Sequence, residues 1–483
     1  MHEIGAKAER ALPLLPACLA LITGAVFLGS KGFTSDEAVS VTMARLPWHR
    51  FGELIVHRET NGSLYFTLLH LLAGGNGGEG AARALSLAAF VAASATFFLL
   101  VRRLFAARIA AIAAILFAIN PVHVEYAQTA HEYLLALLLV VGATYLFVRG
   151  VQEPSAAVWA LYAVVSALSV YAFVLAAVVP VAHALSLAAL PRERVRWRLA
   201  ATSLGGFFML LVPLVYFVTQ TKASAGIAWA SGNLPGRLTI SFRDHFPRAV
   251  LVVLLAALTV GLAYAWWRAA GRYSWPVTLL VAWLVVPAYL VTAAGLVWQP
   301  LFIVRYFMIF APPLLVLVAV VLDKLHGPSL AAAVVLVLVL AGYGLVRWYA
   351  DGGADYRGAS VYVAASSHPG DGVLFYAPYI RLPFELYFEG TAAARSNRAR
   401  AVYPADPWSR ASATFIKTVL MPERPISEAL RPYRRVWLVL SHYRSAGRAD
   451  PGYDNVISAL SGRNFRFVQK RSFAGLALRR YDR

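Results

Sequence analysis

With 483 residues, of which 59% are hydrophobic and only 14% charged, the chain is too apolar for a soluble domain, whose apolar share is roughly 45–50%. A formal charge of +20 would suit nucleic acid, but the basic residues lie in short clusters between apolar runs, as in the loops of a polytopic membrane protein, so no nucleic-acid partner is expected. The single Cys18, inside the first apolar run, excludes an intrachain disulfide and a thiolate metal cluster.

About eleven stretches meet the roughly 20-residue criterion for a membrane span. They are 11–29, 82–101, 105–122, 132–149, 156–173, 174–190, 199–219, 248–267, 275–296, 303–322 and 329–349. The first lacks a clear small-x-small cleavage site and reads as a retained signal anchor. One long apolar stretch, 155–190, is divided in two, although its only internal helix breaker, Pro180, falls late. Arg102, Arg103, Arg108, Arg149, Arg192, Arg194, Arg196, Arg198, Arg268, Arg272 and Lys324 all fall in alternate loops, which the positive-inside rule makes cytoplasmic. That orientation puts the first loop, 30–81, the segment from His123 to Tyr133, the loop 220–248, Arg305 and the C-terminal tail outside.

Within the first loop, 35–46 carries Val39, Met43 and Leu46 at helical spacing, and 64–72 is apolar enough to lie in the interface. Residues 74–80, GGNGGEG, read as a flexible linker back to the bilayer. After residue 350 no run is long enough to span. Helical pieces at 355–367 and 453–462 alternate with strand-like runs at 373–376, 436–441, 465–471 and 474–480, which predicts a small α/β domain outside the membrane. The expected organisation is thus a transmembrane domain over 1–350, with the long loop 30–81, followed by an extracytoplasmic α/β domain over 351–483. No G-x-G-x-x-G, Walker loop or H-E-x-x-H is present to mark a nucleotide or zinc-protease site.

The candidate chemistry begins at Asp36-Glu37, an acidic pair where the first span emerges, since ionisable groups at a membrane boundary are costly and tend to serve function. Thr34-Ser35-Asp36-Glu37 also reads as a helix capping box, and the two readings can both hold, because a cap fixes the carboxylates in place. Arg83 and Arg305 sit at the outer edges of spans, where they either snorkel or grip a lipid phosphate with the guanidinium fork. A divalent metal cation is the one cofactor considered, with His57, His123 and Glu125 as candidate ligands, although no i, i+4 pairing supports it. His183, inside the sixth span, reads as a packed core residue.

The order of these features resembles the GT-C superfamily of polyprenyl-phosphate-sugar-dependent glycosyltransferases, in particular bacterial proteins similar to protein O-mannosyltransferases and to the aminoarabinose transferases of lipid A. The matching pieces are Asp36-Glu37, Asn61 to Tyr65, Ala82-Arg83-Ala84-Leu85-Ser86, Arg102-Arg103-Leu104-Phe105, Asn120-Pro121-Val122-His123 leading to Gln128 and Tyr133, and Arg305-Tyr306 before Pro312-Pro313. There are departures: Thr129 and His131 replace an acid and an arginine usual in the family, and the prolines usual before Leu64-Tyr65 are missing.

What the resemblance implies is an inverting transfer of one sugar from a polyprenyl-phosphate donor to an envelope acceptor, among the lipids at the outer face of a bacterial inner membrane. Asp36 would act on the acceptor as general base and Glu37 would help position acceptor or metal. Arg83 and Arg305, with His131 or Lys222 as helpers, would stabilise the departing lipid phosphate. Glu59, Asn61, Tyr65, Gln128, Tyr133 and Tyr306 would line the acceptor or sugar. The rivals are a transporter or flippase, which would more often show internal repeats or charges within spans, a non-catalytic envelope scaffold in which Asp36-Glu37 only caps a helix, and other polyprenyl-using envelope enzymes.

Overall fold

The computed structural model describes residues 12–57, 59–73, 77–220, 274–297, 304–376, 378–391, 399–403, 426–441, 444–445, 448–449 and 451–483. By packing, the chain divides into two compact units. One comprises Met1–Val26, Glu59–Tyr65 and Ala84–Trp348, and the other Phe27–Arg58, Phe66–Arg83 and Tyr349–Arg483. Hydropathy alone puts a border at residue 350, whereas packing groups most of the first loop with the C-terminal residues.

The first unit is helical. Five helices among the described residues are long and apolar enough to cross a membrane: Glu79–Leu104, Tyr133–Gln152, Trp197–Gln220, Trp275–Val297 and Gly327–Ala350. A sixth candidate, expected as one run over 105–122, is instead a pair, Ala107–Ala118 and Pro121–Ala127, bent by 55°. The break follows from Asn120-Pro121. Asn120 Oδ1 accepts the Val122 N–H at 2.9 Å as an N-cap, and the proline, which has no N–H to give, occupies the first helical position.

The expected first span, 11–29, is a shorter helix, Leu14–Ala25, followed by Phe27 at φ 60, a left-handed conformation that an aromatic residue adopts only in a tight turn. The expected span 174–190 is likewise broken. It begins as a 3₁₀ turn, Val174–Val178, and becomes α-helical over Val179–Ser186, with Pro180 in the first turn. The expected span 303–322 opens as a 3₁₀ helix, Val304–Ile309, and is α-helical over Pro312–Lys324. The eleven-span count is therefore not reproduced as eleven long helices, and the expected span 248–267 lies outside the described residues.

The core of this unit is aromatic and small: Phe90, Phe97, Phe117, Phe147, Phe173, Trp283 and Phe310 are fully buried. His183 is indeed a packed core residue, with Nε2 3.0 Å from Thr144 Oγ1, Nδ1 3.0 Å from Tyr162 Oη, and its ring stacked on Phe147 at 4.6 Å. Helix Gly327–Ala350 buries none of its residues, and Val335, Leu336, Val339 and Leu340 are all exposed. A helix with such an apolar surface requires lipid around it. Composition, these helices and the fold together make the chain a multi-pass membrane protein.

The second unit holds a five-stranded sheet made of β1 (Asp371–Phe375), β2 (Ala399–Tyr403), β3 (Arg435–Leu440), β4 (Arg466–Phe473) and β5 (Leu476–Asp482). The order is β2-β1-β3-β5-β4. β1 pairs in parallel with β2 and β3, and β5 runs antiparallel to β3 and β4. β1 is buried throughout and β3 nearly so, which is why they read as continuous apolar runs rather than as alternation. Helices Tyr356–Ser366 and Pro451–Ser461 fall where expected, and the four expected strands form within a few residues of their predicted bounds. Strand β2 and helix Pro378–Phe388 are additions, the latter packing against helix Ser35–Arg45.

Candidate active site

The cap predicted at the start of helix Ser35–Arg45 forms completely. Thr34 Oγ1 accepts the Glu37 N–H at 3.3 Å, and Glu37 Oε2 accepts the Thr34 N–H at 3.0 Å. Each partner satisfies an amide that the first helical turn would otherwise leave unbonded. The same glutamate carries a second duty. Arg83 Nε donates to Glu37 Oε1 at 2.7 Å and Arg83 Nη2 to Oε2 at 3.0 Å, a bidentate pair in which the side chains are only 2% and 1% exposed.

Arg83 spends its remaining donors on main chain: Nη1 on the carbonyls of Leu28 and Lys31 at 2.8 and 3.0 Å, and Nη2 on that of Gly32 at 3.2 Å. All five N–H groups of the guanidinium are thereby engaged. Instead of the lipid phosphate proposed from the sequence, Arg83 grips a carboxylate and the turn that leads into the helix. Asp36, half-buried, stands on the first turn of that helix, between the capping Thr34 and the locked Glu37.

Apart from His57, which belongs to the second unit, the other described sequence candidates lie in the first unit. Gly62, at φ 81, turns the chain before helix Ser63–Ala73 and sets Asn61 to bridge two segments. Asn61 Nδ2 donates to Glu132 Oε1 at 3.3 Å, and its Oδ1 accepts the Val174 N–H at 3.0 Å, where the 3₁₀ turn begins. His131 Nδ1 pairs with Glu132 Oε2. The His131 ring stacks on Tyr133 at 4.8 Å and 8° between planes, and Tyr126 and Phe173 meet Tyr133 edge-on at 4.9 and 5.8 Å. Tyr306 completes the group at 5.1 Å from Phe173 and 6.4 Å from Tyr133. Tyr133, Phe173 and Glu132 are only 3%, 2% and 1% exposed, so this aromatic group is closely packed around a buried carboxylate.

Two candidates are buried and hydrogen-bonded within the unit. Tyr65 is fully buried with its Oη 3.0 Å from Ser86 Oγ, which in turn donates to the His131 carbonyl at 3.3 Å. Gln128, 3% exposed, donates from Nε2 to the carbonyls of Gly24 and Val26 at 3.0 and 2.6 Å and accepts Trp348 Nε1–H on Oε1 at 2.8 Å. It ties three segments together. Gln128→Leu strands two carbonyls and an indole N–H, so we expect a loss of at least about 1–3 kcal/mol with donor KM unchanged. Thermal unfolding of the purified variant beside its kinetics checks this, and a raised KM in an equally stable protein would restore Gln128 to the ligand site.

Glu59 is half-buried, and Glu125, also half-buried, takes Thr129 Oγ1 on its carbonyl at 2.8 Å. His57 is exposed at the end of helix Trp48–His57. His123 is enclosed, with Nδ1 3.0 Å from the Phe117 carbonyl and its ring 4.2 Å from that of Phe117. Among the described residues no three His, Cys, Asp or Glu side chains group as a metal site, so His57, His123 and Glu125 do not assemble one. Lys222 lies outside the described residues. Arg305 falls in the 3₁₀ helix Val304–Ile309 and its side chain lies outside them. Glu132, which the sequence places with His131 and Tyr133 in the same outer segment without a specific role, is a buried acid, 1% exposed.

Comparison with known proteins bears on the fold and the family. Residues 62–217 match the model of a family described as dolichyl-phosphate-mannose-protein mannosyltransferase. The chain is similar in structure to ArnT from Cupriavidus metallidurans in the apo state, with a TM-score of 0.56, 15% identity and 98% of each chain covered. It is also similar to the oligosaccharyltransferase of Archaeoglobus fulgidus in complex with zinc and sulfate, with a TM-score of 0.51, 16% identity, and coverage of 88% of this chain and 67% of that one. No curated protein matches the sequence. At these identities the structural likeness is one of fold, and that fold is the GT-C fold the sequence motifs resemble.

Proposed function

We propose that the protein is an integral-membrane glycosyltransferase that moves one sugar, with inversion, from a polyprenyl-phosphate donor to a hydroxyl or amine of a cell-envelope acceptor at the outer face of the bacterial inner membrane. The GT-C fold supports this, as does the match over 62–217 to a family whose description names a dolichyl-phosphate-linked mannose and a protein acceptor. What supports Asp36 as the base is its place on a rigid turn: Glu37 is held by Arg83 and by the cap, so the first turn of helix Ser35–Arg45 keeps Asp36 in a fixed position.

Asp36 takes the acceptor's proton as the acceptor oxygen or nitrogen attacks C1 of the sugar. The bond from C1 to the phosphate oxygen breaks, and polyprenyl phosphate leaves with the electron pair. Arg305, Lys222 and His131 are assigned to that growing negative charge, where a low local dielectric enlarges their effect. Glu59, Tyr133 and Tyr306 are assigned to the sugar or the acceptor. Arg83, Asn61, Tyr65 and Gln128 become framework that holds these groups.

The test is release of polyprenyl phosphate by the purified protein in lipid, from a panel of polyprenyl-phosphate sugars, with and without an envelope extract and with divalent cation added or chelated. Release that depends on the extract is expected. No release from any donor by a folded protein would overturn the reading.

A further inference from the structure

The backbone just ahead of the cap is held from far along the chain. Tyr387, on helix Pro378–Phe388, uses its single hydroxyl twice: Oη accepts the Phe33 N–H at 2.7 Å and donates to Glu79 Oε1 at 2.7 Å. Glu79, expected from its Gly-rich surroundings to lie in a flexible linker, is the first residue of helix Glu79–Leu104 and pairs with Arg357. The Arg357 guanidinium lies 5.5 Å from the centre of the Tyr387 ring, and the Phe33 ring stacks on Tyr387 at 6.0 Å and 24°. The Arg83 guanidinium lies 5.9 Å from the centre of the Phe33 ring.

We propose that Tyr387, Glu79 and Arg357 form a clamp contributed largely by the C-terminal part of the chain, and that Tyr387 is thereby a positioning residue for Asp36. The amide of Phe33 goes to Tyr387 and that of Thr34 to Glu37, so two successive amides before the helix are fixed by side chains. With the carbonyls of Leu28, Lys31 and Gly32 fixed by Arg83, the whole approach to Asp36 is staked at both polar edges. A base must sit within hydrogen-bond reach of its proton, and misplacement by about 1 Å can cost on the order of 100-fold. Burial raises the Tyr387 phenol above its ordinary range, so it stays a donor to Glu79. The C-terminal domain is on this view part of the catalytic apparatus without supplying a reacting group.

This inference rests on the transferase reading, and its test separates the two. Tyr387→Phe keeps the ring, its stacking and its packing and removes only the hydroxyl. In the full-length protein in lipid nanodiscs we expect amide hydrogen exchange at Phe33 to speed up about three- to tenfold, the size of one lost hydrogen bond. We also expect kcat for donor turnover to fall by at least about threefold, with donor KM and unfolding temperature little changed. Faster exchange with an unchanged kcat overturns the positioning role. Unchanged exchange at Phe33 overturns the clamp itself, whether or not the wild type turns over. A wild type that releases nothing from any donor, with exchange altered as expected, removes the transferase reading and with it the catalytic meaning of the clamp.

Discussion

Asp36→Asn is expected to abolish most turnover, by about 10²–10⁴-fold in kcat, while leaving the fold almost untouched. Asparagine has nearly the shape of aspartate but cannot hold the acceptor's proton. The thermodynamic side effect is small, because removing one negative charge from the first turn of a helix costs about 0.3–1 kcal/mol of dipole interaction. The cap survives, since its two bonds belong to Thr34 and Glu37. A measurement of kcat, donor KM and thermal unfolding on the same preparation therefore separates chemistry from folding. Asp36→Glu is a useful companion: it keeps the base but moves it by one methylene, and a rate nearer to the asparagine variant than to wild type would indicate that position matters as much as charge. If Asp36→Asn keeps its rate within tenfold of wild type, Asp36 is not the base, and the acidic pair is only a helix start.

How much of this was legible beforehand depended on distance along the chain. The capping box could be read because its parts lie three residues apart and the chemistry of a helix N-terminus is local. The strands β1 and β3 were legible as short apolar runs between turn residues, and the helix at Tyr356–Ser366 by its periodicity. Helix Pro378–Phe388 was hidden by Pro383 in its interior, which reads as a breaker. The apolar stretch 174–190 contains a 3₁₀ turn that hydropathy cannot reveal, because its start is set by Asn61, 113 residues earlier.

The candidate site followed the same rule. Asp36 and Glu37 stood out by type and place. The contacts that hold Glu37 and the turn ahead of it did not, since they come from Arg83, 46 residues beyond Glu37, and from Tyr387, 354 residues beyond Phe33. An arginine at the mouth of a span has the same sequence signature whether it binds a phosphate or a carboxylate. Only the partners tell the two apart.

Arg83 is where that distinction gives the second large effect. Arg83→Ala leaves the Glu37 carboxylate, 1% exposed, buried without its counter-ion and strips the donors from three carbonyls, so we expect it to cost about 3–5 kcal/mol. Glu37→Ala does the converse, stranding a guanidinium and removing half of the cap. Arg83→Lys should recover little. An ammonium offers three donors on a flexible stem, where the guanidinium uses five in a planar fork to join two carboxylate oxygens with three separate carbonyls. Replacing both partners together, as Arg83→Met with Glu37→Leu, removes the unpaired charge but not the orphaned carbonyls of Leu28, Lys31 and Gly32 or the unbonded Thr34 amide. Part of the loss should therefore persist, and the shortfall measures the share that belongs to the turn rather than to the ion pair. Unfolding of the four variants in one lipid composition decides the role of Arg83. A framework role predicts a large drop in stability for Arg83→Lys, with donor KM unchanged in whatever remains folded. A phosphate-binding role predicts the reverse, a stable protein with a raised donor KM, and that result would return Arg83 to the place the sequence alone proposed for it.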